Sequence, residues 1–219
     1  MNLPPDLIIC TRLLAFNAGN WGEITAAFDE APSLEFGQPW CTASETGWQG
    51  GTVRTGWHAS RFLYLATLAD NHLVATAACN DQFLWQIGDV LEVFAGVDGD
   101  SGYIEYHTDP NGRTLRLRWP DKDAVSKVTE IAKVADFIVK DEATLVRVRR
   151  TENGWQVYGE IPATSLSGGC GTLAGQSWQL NFGRYDYRDL KSPPVLSSTS
   201  PLTKPSFHRR HEWRTIRFE

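Results

Sequence analysis

The stretch LWQIGDVLEVF, residues 84–94, decides the fold class of this 219-residue chain. Its second half, VLEVF, places side chains alternately on two faces, which is the two-residue period of a β-strand. Glu92 is therefore an acidic residue inside a strand, and Trp85 and Asp89 stand just ahead of it. A large flat ring and two carboxylates at one strand entrance suit a polyhydroxylated ligand that has an apolar ring face.

Similar patterns before and after this stretch predict further strands. The turn sequences ADN at 69–71, DPNG at 109–112 and ENG at 152–154 lie between them, and such close spacing is typical of antiparallel neighbours. We predict an all-β chain folded as one domain, 1–219, in which residues 1–50 supply N-terminal strands and loops that pack on the rest. The predicted strands are 51–57, 61–68, 72–78, 89–95, 102–108, 114–119, 144–150, 155–161, 178–187 and 213–218.

Two segments do not fit a regular strand pattern. Residues 123–140 match both a helical spacing of apolar residues and an extended chain, so a short helix and an irregular strand are equally open. Residues 188–212 form a long polar loop with four prolines, a kind of loop that is usually functional or loosely held. At most one short helix is expected in the whole chain.

The composition restricts the class of protein. A hydrophobic fraction of 42%, nine Trp residues and a charged fraction of 21% are typical of a globular chain. The net charge is −5, which argues against nucleic acid as a partner, because phosphate binding needs a concentrated basic surface. The nearest basic cluster is explained by alternating residues on an exposed strand face: Arg209, Arg210, Arg214 and Arg217.

The cysteines and the first residues carry little signal. Cys10, Cys41, Cys79 and Cys170 lie far apart and form no CxxC pair, so neither a zinc site nor a dithiol redox motif is predicted, and disulfide pairing stays open. Residues 1–16 lack a basic region and have an interrupted apolar run, so they predict neither a signal peptide nor a membrane span. No membrane partner is expected, and the chain is either intracellular or secreted after removal of a leader.

No catalytic motif stands out. The chain has no GxSxG elbow and no HExxH metal motif, and His208 and His211 are expected to be surface side chains in a loop. Glu92 and Glu105 could form the carboxylate pair of a glycosidase. In an antiparallel sheet they could equally be a surface charge and a buried hydrogen-bond acceptor. We therefore predict no catalytic residue.

Aromatic residues outside the expected core give a clearer signal. Trp85 lies in a loop, and Phe207 lies in the last loop of the chain. Tyr185 stands between Arg184 and Asp186 at a strand end. Ring faces stack on the C–H face of a pyranose, and charged side chains beside them hydrogen-bond its hydroxyl groups. The Trp residues within strands are instead expected to fill a sandwich core: Trp57, Trp155, Trp178 and Trp213.

Six segments of the chain form an ordered set: FLYLATLAD (62–70), LWQIGDVLEVF (84–94), GYIEYHTDPNG (102–112), GWQVYGEIP (154–162), WQLNFGRYD (178–186) and SFHRRHEWRTIRF (206–218). They resemble the family 9 carbohydrate-binding modules and the wider group of DOMON-like β-sandwiches. Each segment alone is a weak match, whereas the ordered set, which spans residues 50–219, is fairly specific. The resemblance implies a two-sheet antiparallel β-sandwich that binds mono- or oligosaccharides and is not an enzyme.

The resemblance also implies a binding site. In family 9 modules two aromatic rings clamp a sugar between them, and Trp85 matches the first ring. The second ring falls near Phe207, where a Trp is usual, which implies weaker stacking. The polar contacts of the family resemble the positions of Glu92, His107 and residues 184–186.

One cofactor and one partner protein follow from the same resemblance. Calcium ions often support this fold, and Asp70 and Asp89 match acidic positions of the family, although no oxygen-rich loop accompanies them. A structural calcium ion is thus the one candidate cofactor that the resemblance implies. The partner that the resemblance implies is a carbohydrate-active enzyme of polysaccharide breakdown.

Two alternatives stay open. The chain could be the accessory domain of a glycoside hydrolase that has retained no ligand. DOMON-like domains also include haem binders, and a haem-binding or electron-transfer domain would need Met or His as axial ligands. Met1 is the only Met and lies at the terminus, so the candidate ligands are the five histidines: His58, His72, His107, His208 and His211.

Overall fold

The computed structural model describes residues 7–140, 143–166 and 171–219. In these residues the chain forms twelve β-strands and one α-helix, together with several 3₁₀ turns. No described helix is long and apolar enough to cross a membrane. In chain order the elements are β1 (Leu7–Cys10), α1 (Trp21–Ala27), β2 (Ser33–Glu35), β3 (Gly51–His58), β4 (Arg61–Ala69), β5 (Val90–Val97), β6 (Tyr103–Thr108), β7 (Thr114–Trp119), β8 (Leu145–Thr151), β9 (Gly154–Pro162), β10 (Ser177–Asp186), β11 (Val195–Ser198) and β12 (Arg214–Phe218).

The strands form two sheets. The larger sheet has seven strands in the order β1-β12-β10-β5-β6-β7, with β11 paired to the end of β10. The smaller sheet has five strands in the order β2-β3-β4-β9-β8. Strand pairs are antiparallel apart from β1 with β12, which is parallel. The two-sheet β-sandwich predicted from the sequence is therefore confirmed.

The main core lies between the two sheets. Alternate residues of each strand point into it, as the two-residue period requires. Leu91 and Val93 on β5 contribute to this core and are at most 1% exposed. Trp57, Trp155 and Trp178 belong to it as predicted.

The outer face of the larger sheet is covered as well. Glu92 and Phe94 of β5 point to this face, and two long connections, 120–138 and 199–213, fold over it. Their apolar side chains form a second cluster with β6 and β7, and Trp213 belongs to this cluster and not to the main core. The strands in the middle of the sheet are thus buried on both faces, so β6 has no exposed residue.

The strand predicted at 72–78 is absent. These residues join no sheet, apart from an isolated bridge between Ala75 and Gly88. The Asp89 side chain explains the difference, because its Oδ2 atom accepts a hydrogen bond of 2.6 Å from the backbone N–H of Val74. The Asp89 carboxylate therefore accepts the hydrogen bond that the Val74 N–H would have donated to a neighbouring strand.

The helical segments also differ from expectation. Residues 123–140, for which helix and strand were both open, form two 3₁₀ turns, Val125–Lys127 and Ile131–Phe137. The α-helix α1 lies in the N-terminal region that was expected to hold strands and loops. It begins after Asn20, whose side-chain oxygen accepts hydrogen bonds from two backbone N–H groups of the first helical turn.

The described cysteines are free thiols. Cys10 is buried, Cys41 is partly exposed and Cys79 is exposed. Burial raises the pKa of the Cys10 thiol to about 12, so this group is inert at neutral pH. Cys170 lies outside the described residues.

Candidate functional site

Three titratable side chains meet on the outer face of the larger sheet. In the antiparallel ladder of β5 with β6, Glu92 lies directly opposite His107, and Glu105 precedes His107 by two residues. Residues directly opposite one another and residues two apart on a strand share a face. The strand register therefore brings Glu92, Glu105 and His107 together, and each is at most 4% exposed.

His107 connects the two carboxylates. Its Nε2 atom lies 2.8 Å from Oε1 of Glu105 and 3.4 Å from Oε1 of Glu92. The Oε2 atom of Glu105 accepts a hydrogen bond of 2.5 Å from the indole N–H of Trp119 and lies 3.6 Å from Nε2 of His208. Glu105 is thus held from three sides. Glu92 has one longer polar contact, with His107, among the described residues.

The surroundings of the two glutamates shift their pKa values in opposite directions. Burial raises the pKa of Glu92 to about 8. Burial acts on Glu105 in the same direction, but His208, His107 and the Trp119 N–H together hold the pKa of Glu105 below its usual value. Burial would lower the pKa of His107, but the two carboxylates raise it above its usual value. At neutral pH this favours a charged Glu105–His107 pair beside a protonated Glu92.

Glu92 and Glu105 line a cavity of about 320 Å³. One wall comes from apolar residues of 125–134, and another comes from residues 205–208 of the last long loop. Thr129 and Ser206 add hydroxyl groups to an otherwise apolar wall. The ring-bearing residues of the lining are Trp85, Trp119, Tyr185, Phe207 and His208.

Trp85 lies at the edge of this cavity beside the carboxylates. It belongs to the 3₁₀ turn Leu84–Gln86, which leads into β5. The hydroxyl of Tyr187 donates a hydrogen bond of 2.5 Å to the backbone carbonyl of Trp85 and so fixes this turn. The indole is partly exposed and meets the His107 ring edge to face, with 5.2 Å between ring centroids. A stacking surface therefore lies next to the buried acidic residues.

Phe207 is part of the cavity wall, but its ring is closely packed. The side chain is 3% exposed. Its ring lies against β10 at Gly183, where a Cβ atom would come within 2.5 Å of it. It also packs edge to face on Tyr185, with 5.5 Å between centroids. Tyr185 is partly exposed, so it offers a ligand a more accessible second ring than Phe207 does.

Arg184 and Asp186, which the sequence predicted as ligand contacts, lie on the other face of β10. Tyr185 points to the cavity, so its two neighbours point toward the smaller sheet. Arg184 is fully buried, and its Nη2 atom lies 3.2 Å from Oδ2 of Asp70 and 3.1 Å from Oδ2 of Asp186. The structure therefore does not bring this pair to the cavity.

The acidic positions that the resemblance associated with calcium form a cluster around Arg184. Asp70, Asp89 and Asp186 each place a carboxylate oxygen within 4.8 Å of the others. Both oxygens of Asp89 accept backbone N–H groups, at 2.6 and 2.7 Å. The Arg184 guanidinium pairs with the other two carboxylates, so it supplies the positive charge that a cation would bring. A calcium ion takes six to eight oxygen ligands, so at this cluster it would compete with Arg184 for two of the three carboxylates.

Of the histidines considered for haem ligation, His208 lines the cavity and His107 contacts its two glutamates. The Nε2 atoms of both His107 and His208 face Glu105, at 2.8 and 3.6 Å. Nδ1 of His208 faces the Tyr103 hydroxyl, and Nδ1 of His107 has no hydrogen-bond partner among the described residues but belongs to a side chain that is 1% exposed and does not line the cavity. Neither nitrogen is therefore directed at a space that could hold a haem. The remaining candidates do not line this cavity: His58, His72 and His211.

Sequence reasoning missed part of this cavity. Trp119 was assigned only to a hairpin, yet its indole N–H binds Glu105. His208 was expected at the surface, but it is partly buried, and its Nδ1 atom lies 2.8 Å from the Tyr103 hydroxyl. The wall at 125–134 was not anticipated, although its apolar residues, spaced three apart in a polar segment, were a signal that this segment covers something.

Comparison with known proteins connects this architecture to solved structures. No sequence profile of a protein family and no curated protein sequence matches the chain. A protein from Bacteroides uniformis ATCC 8492, named as a candidate carbohydrate-binding protein, superposes with a TM-score of 0.73 at 16% identity, over 98% of this chain and 99% of that one. A family 9 carbohydrate-binding module from Caldicellulosiruptor kristjanssonii, in complex with cellotriose, gives a TM-score of 0.63 at 12% identity, over 97% and 93%. The chain has the family 9 fold.

A further structure extends this result. A family 9 module from the same organism, in complex with glucose, gives a TM-score of 0.61 at 11% identity, over 97% of this chain and 95% of that one. The family 9 fold predicted from six ordered segments is therefore confirmed. At identities of 11–16% the likeness concerns the backbone, so the site must be argued from this chain's own residues.

Proposed function

We propose that this protein binds carbohydrate without cleaving it, and that the cavity beside Glu92 is the binding site. One observation carries the proposal: a partly exposed Trp85 ring and two buried glutamates line the same cavity. The family 9 modules in complex with cellotriose and glucose support it, because they share the fold.

Stacking would supply most of the binding energy. A pyranose has an apolar C–H face that packs on an aromatic ring. Aromatic side chains bury apolar ligand surface in the same way in other small-molecule sites. Trp85 is the accessible indole of the cavity, and Tyr185 is a second accessible ring. The closely packed Phe207 would shape the pocket and would contribute less stacking area.

Hydrogen bonds at the base of the cavity would orient the sugar. The one polar contact of Glu92 among the described residues is the 3.4 Å contact with His107. Its carboxyl group can therefore accept a hydrogen bond from a ligand hydroxyl or, when protonated, donate one to it. Glu105 is engaged by Trp119 and His107 and would act mainly by fixing them. Buried polar groups of this kind discriminate strongly against ligands that fail to pair with them.

The same geometry argues against glycoside cleavage. Glycosidases hold their two carboxyl groups on either side of the scissile bond, about 5–9.5 Å apart. Here Nε2 of His107 lies 2.8 Å from an oxygen of Glu105 and 3.4 Å from an oxygen of Glu92, so an imidazole stands between the two carboxyl groups. The imidazole occupies the space that a scissile bond would need. We therefore infer a binding site and no catalytic pair.

Calorimetric titration tests the proposal. Glucose, cellotriose and a panel of other neutral mono- and oligosaccharides are titrated into the full chain, and at least one is expected to bind. Trp85→Ala should abolish that binding. Trp21→Ala is the matched control, because Trp21 is also a partly exposed indole but packs on Arg149, outside the cavity.

The outcomes separate the alternatives. Unchanged binding in Trp85→Ala would refute this site. No binding to any saccharide would favour an accessory domain without a ligand, and a Soret band after haem addition would favour the haem alternative. Incubation with chromogenic glycosides should release no chromophore; release that Glu92→Gln abolishes would overturn the non-catalytic assignment.

We further propose that binding serves polysaccharide breakdown beside a carbohydrate-active enzyme. The support is that family 9 neighbours are modules by name, and that this chain repeats their architecture over nearly its whole length. The chain should be retained on an insoluble polysaccharide and released by the free sugar that calorimetry identifies. Retention that Trp85→Ala leaves intact would contradict this role for the cavity.

A further inference from the structure

We propose that the cavity takes a hexose that carries an N-acetyl group, with the acetyl methyl on the aliphatic wall formed by residues 125–134. The inference rests on the proposed function, because it names the ligand class of the same site. Three features of the cavity support it: an aliphatic wall that the fold leaves partly uncovered, hydroxyl groups beside that wall, and carboxyl groups that are neutral or already paired.

The aliphatic wall follows from the spacing of its residues. They recur at every third position, and a 3₁₀ turn has three residues per turn, which brings Ile131 and Val134 of the second turn onto one face. Four such residues line the cavity: Val125, Val128, Ile131 and Val134. The segment thus presents one aliphatic stripe to the space where a ligand would lie.

Folding leaves part of this wall uncovered. Val125 and Val128 pack on the second apolar cluster but stay partly exposed. Ile131 is 49% exposed and belongs to none of the apolar clusters of the described residues. Apolar side chains that remain exposed together in a cavity are typical of a ligand-binding groove, because a ligand can bury apolar atoms against them.

An unsubstituted hexose makes poor use of this wall. Its C–H face is apolar and stacks on Trp85, whereas its rim carries hydroxyl groups, which would lose hydrogen bonds to water against aliphatic side chains. A methyl group has no hydrogen bond to lose, and one carbon more in an apolar pocket strengthens binding by about 10-fold or more. The wall therefore favours a sugar with an apolar substituent.

The polar groups beside the wall favour an amide within that substituent. Thr129 lies in the wall segment and Ser206 in the last long loop, and both are exposed residues of the cavity lining. Neither hydroxyl has a hydrogen-bond partner among the described residues. A hydroxyl can donate to an amide carbonyl and can accept from an amide N–H. The two hydroxyls therefore match both polar groups of an acetamido substituent, whereas an ether or an ester lacks the N–H.

The charges of the cavity do not favour an ionic sugar. Burial raises the pKa of Glu92 to about 8, so this carboxyl group is protonated at neutral pH. Glu105 is already paired with His107, at 2.8 Å. The described lining holds neither Lys nor Arg, and burial lowers the pKa of His208. An ammonium or carboxylate on the sugar would lose water without gaining a free partner of opposite charge, and an N-acetyl group avoids that cost.

Titration calorimetry on the full chain at pH 6.5 tests this inference. Three hexoses are each compared with their 2-acetamido form: glucose with N-acetylglucosamine, galactose with N-acetylgalactosamine, and mannose with N-acetylmannosamine. In at least one pair the acetylated sugar should bind about 10-fold more tightly than its parent, because the methyl group is buried on the wall. The corresponding sugar with a free amino group should show no such gain.

Two variants test whether the gain arises at the wall. Ile131→Ser removes the exposed aliphatic side chain, and Val128→Thr keeps the shape of the side chain but adds a hydroxyl. Each should lower the ratio of acetylated to parent affinity by about 3-fold or more and leave the parent affinity unchanged. Leu190→Ser is the matched control, since Leu190 is 48% exposed but lies outside the cavity, and it should keep the wild-type ratio.

The outcomes separate this inference from the proposed function. Equal affinities within all three pairs would overturn the inference and leave the proposed function intact. A gain that the free amino sugar matches would also overturn it, as would a ratio that both wall variants leave at the wild-type value. Failure of all these sugars and of cellotriose to bind would instead refute the proposed function itself.

Discussion

The hydroxyl of Tyr187 lies 2.5 Å from the backbone carbonyl of Trp85 and donates a hydrogen bond to it. This contact ties the residue that follows β10 to the 3₁₀ turn that precedes β5. The backbone N–H of Tyr187 also binds Asp89, the first residue before β5. Tyr187 thus fixes both the turn that carries Trp85 and the start of β5, the strand that carries Glu92.

We expect Tyr187→Phe to weaken saccharide binding by about 2- to 10-fold, because one hydrogen bond of roughly 0.5–1.5 kcal/mol no longer fixes the Trp85 turn. Calorimetry with the best-binding sugar measures the effect. Tyr158→Phe is the matched control, since it removes a phenol–carboxylate hydrogen bond of 2.8 Å in the smaller sheet. Equal affinities in wild type and Tyr187→Phe would show that the turn needs no such support.

Stability should fall as the pH rises toward 8, in part because of Glu92. Burial raises the pKa of Glu92 to about 8 in the folded protein, whereas a glutamate in an unfolded chain ionises near about 4.3. The folded state therefore binds more protons between these values, and the stabilisation is fully present below about pH 4.3 and lost as the pH passes 8. His107, whose pKa is also raised, acts in the same direction.

Urea unfolding of wild type and Glu92→Gln at pH 5 and pH 8 measures this contribution. The decrease in the free energy of unfolding between the two pH values should be smaller in the variant, by roughly 1–3 kcal/mol. The control Glu30→Gln, at an exposed position outside the cavity, should follow wild type. A decrease as large in Glu92→Gln as in wild type would mean that Glu92 is ionised in the folded protein at neutral pH.

Arg184 is expected to serve stability and not ligand binding. Its guanidinium is fully buried and pairs with Asp70 and Asp186, so Arg184→Met should cost about 3–5 kcal/mol of unfolding free energy by leaving buried carboxylates unpaired. The control Arg61→Met breaks a partly exposed pair with Glu160 and should cost about 1 kcal/mol or less. Loss of sugar affinity in Arg184→Met at unchanged stability would restore Arg184 to the binding site.

Chelation should have little effect on the fold. Arg184 supplies the positive charge in the acidic cluster, and backbone N–H groups already bind Asp89. The melting temperature in EDTA should therefore equal that in millimolar calcium, as followed by circular dichroism. A clear rise in melting temperature on calcium addition would mean that the cluster rearranges to admit the ion.

The sequence predicted most of the sandwich because its strands alternate and its turns are short. The hairpin of β6 with β7 is an example, since strong turn residues at 109–112 set its register. The segment 72–78 was mistaken for a strand because its composition resembles one. Its backbone donor is taken by the Asp89 side chain, a tertiary contact that no local pattern reveals.

The site was predicted less completely for a similar reason. Trp85 and Glu92 could be found because one lies just before a strand and the other is an acid within it. Arg184 could not be told from Tyr185, because adjacent residues of a strand point to opposite faces and only the packing decides which face meets the ligand. Trp119 and His208 contribute through partners far away in sequence.

A crystal structure of the protein soaked with the saccharide that calorimetry identifies tests the central claim most directly. We expect the sugar ring to lie in the cavity, with its C–H face on the Trp85 indole and a hydroxyl group within hydrogen-bond distance of Glu92. A saccharide bound elsewhere on the chain, or an empty cavity at a concentration that saturates the protein in solution, would contradict the claim.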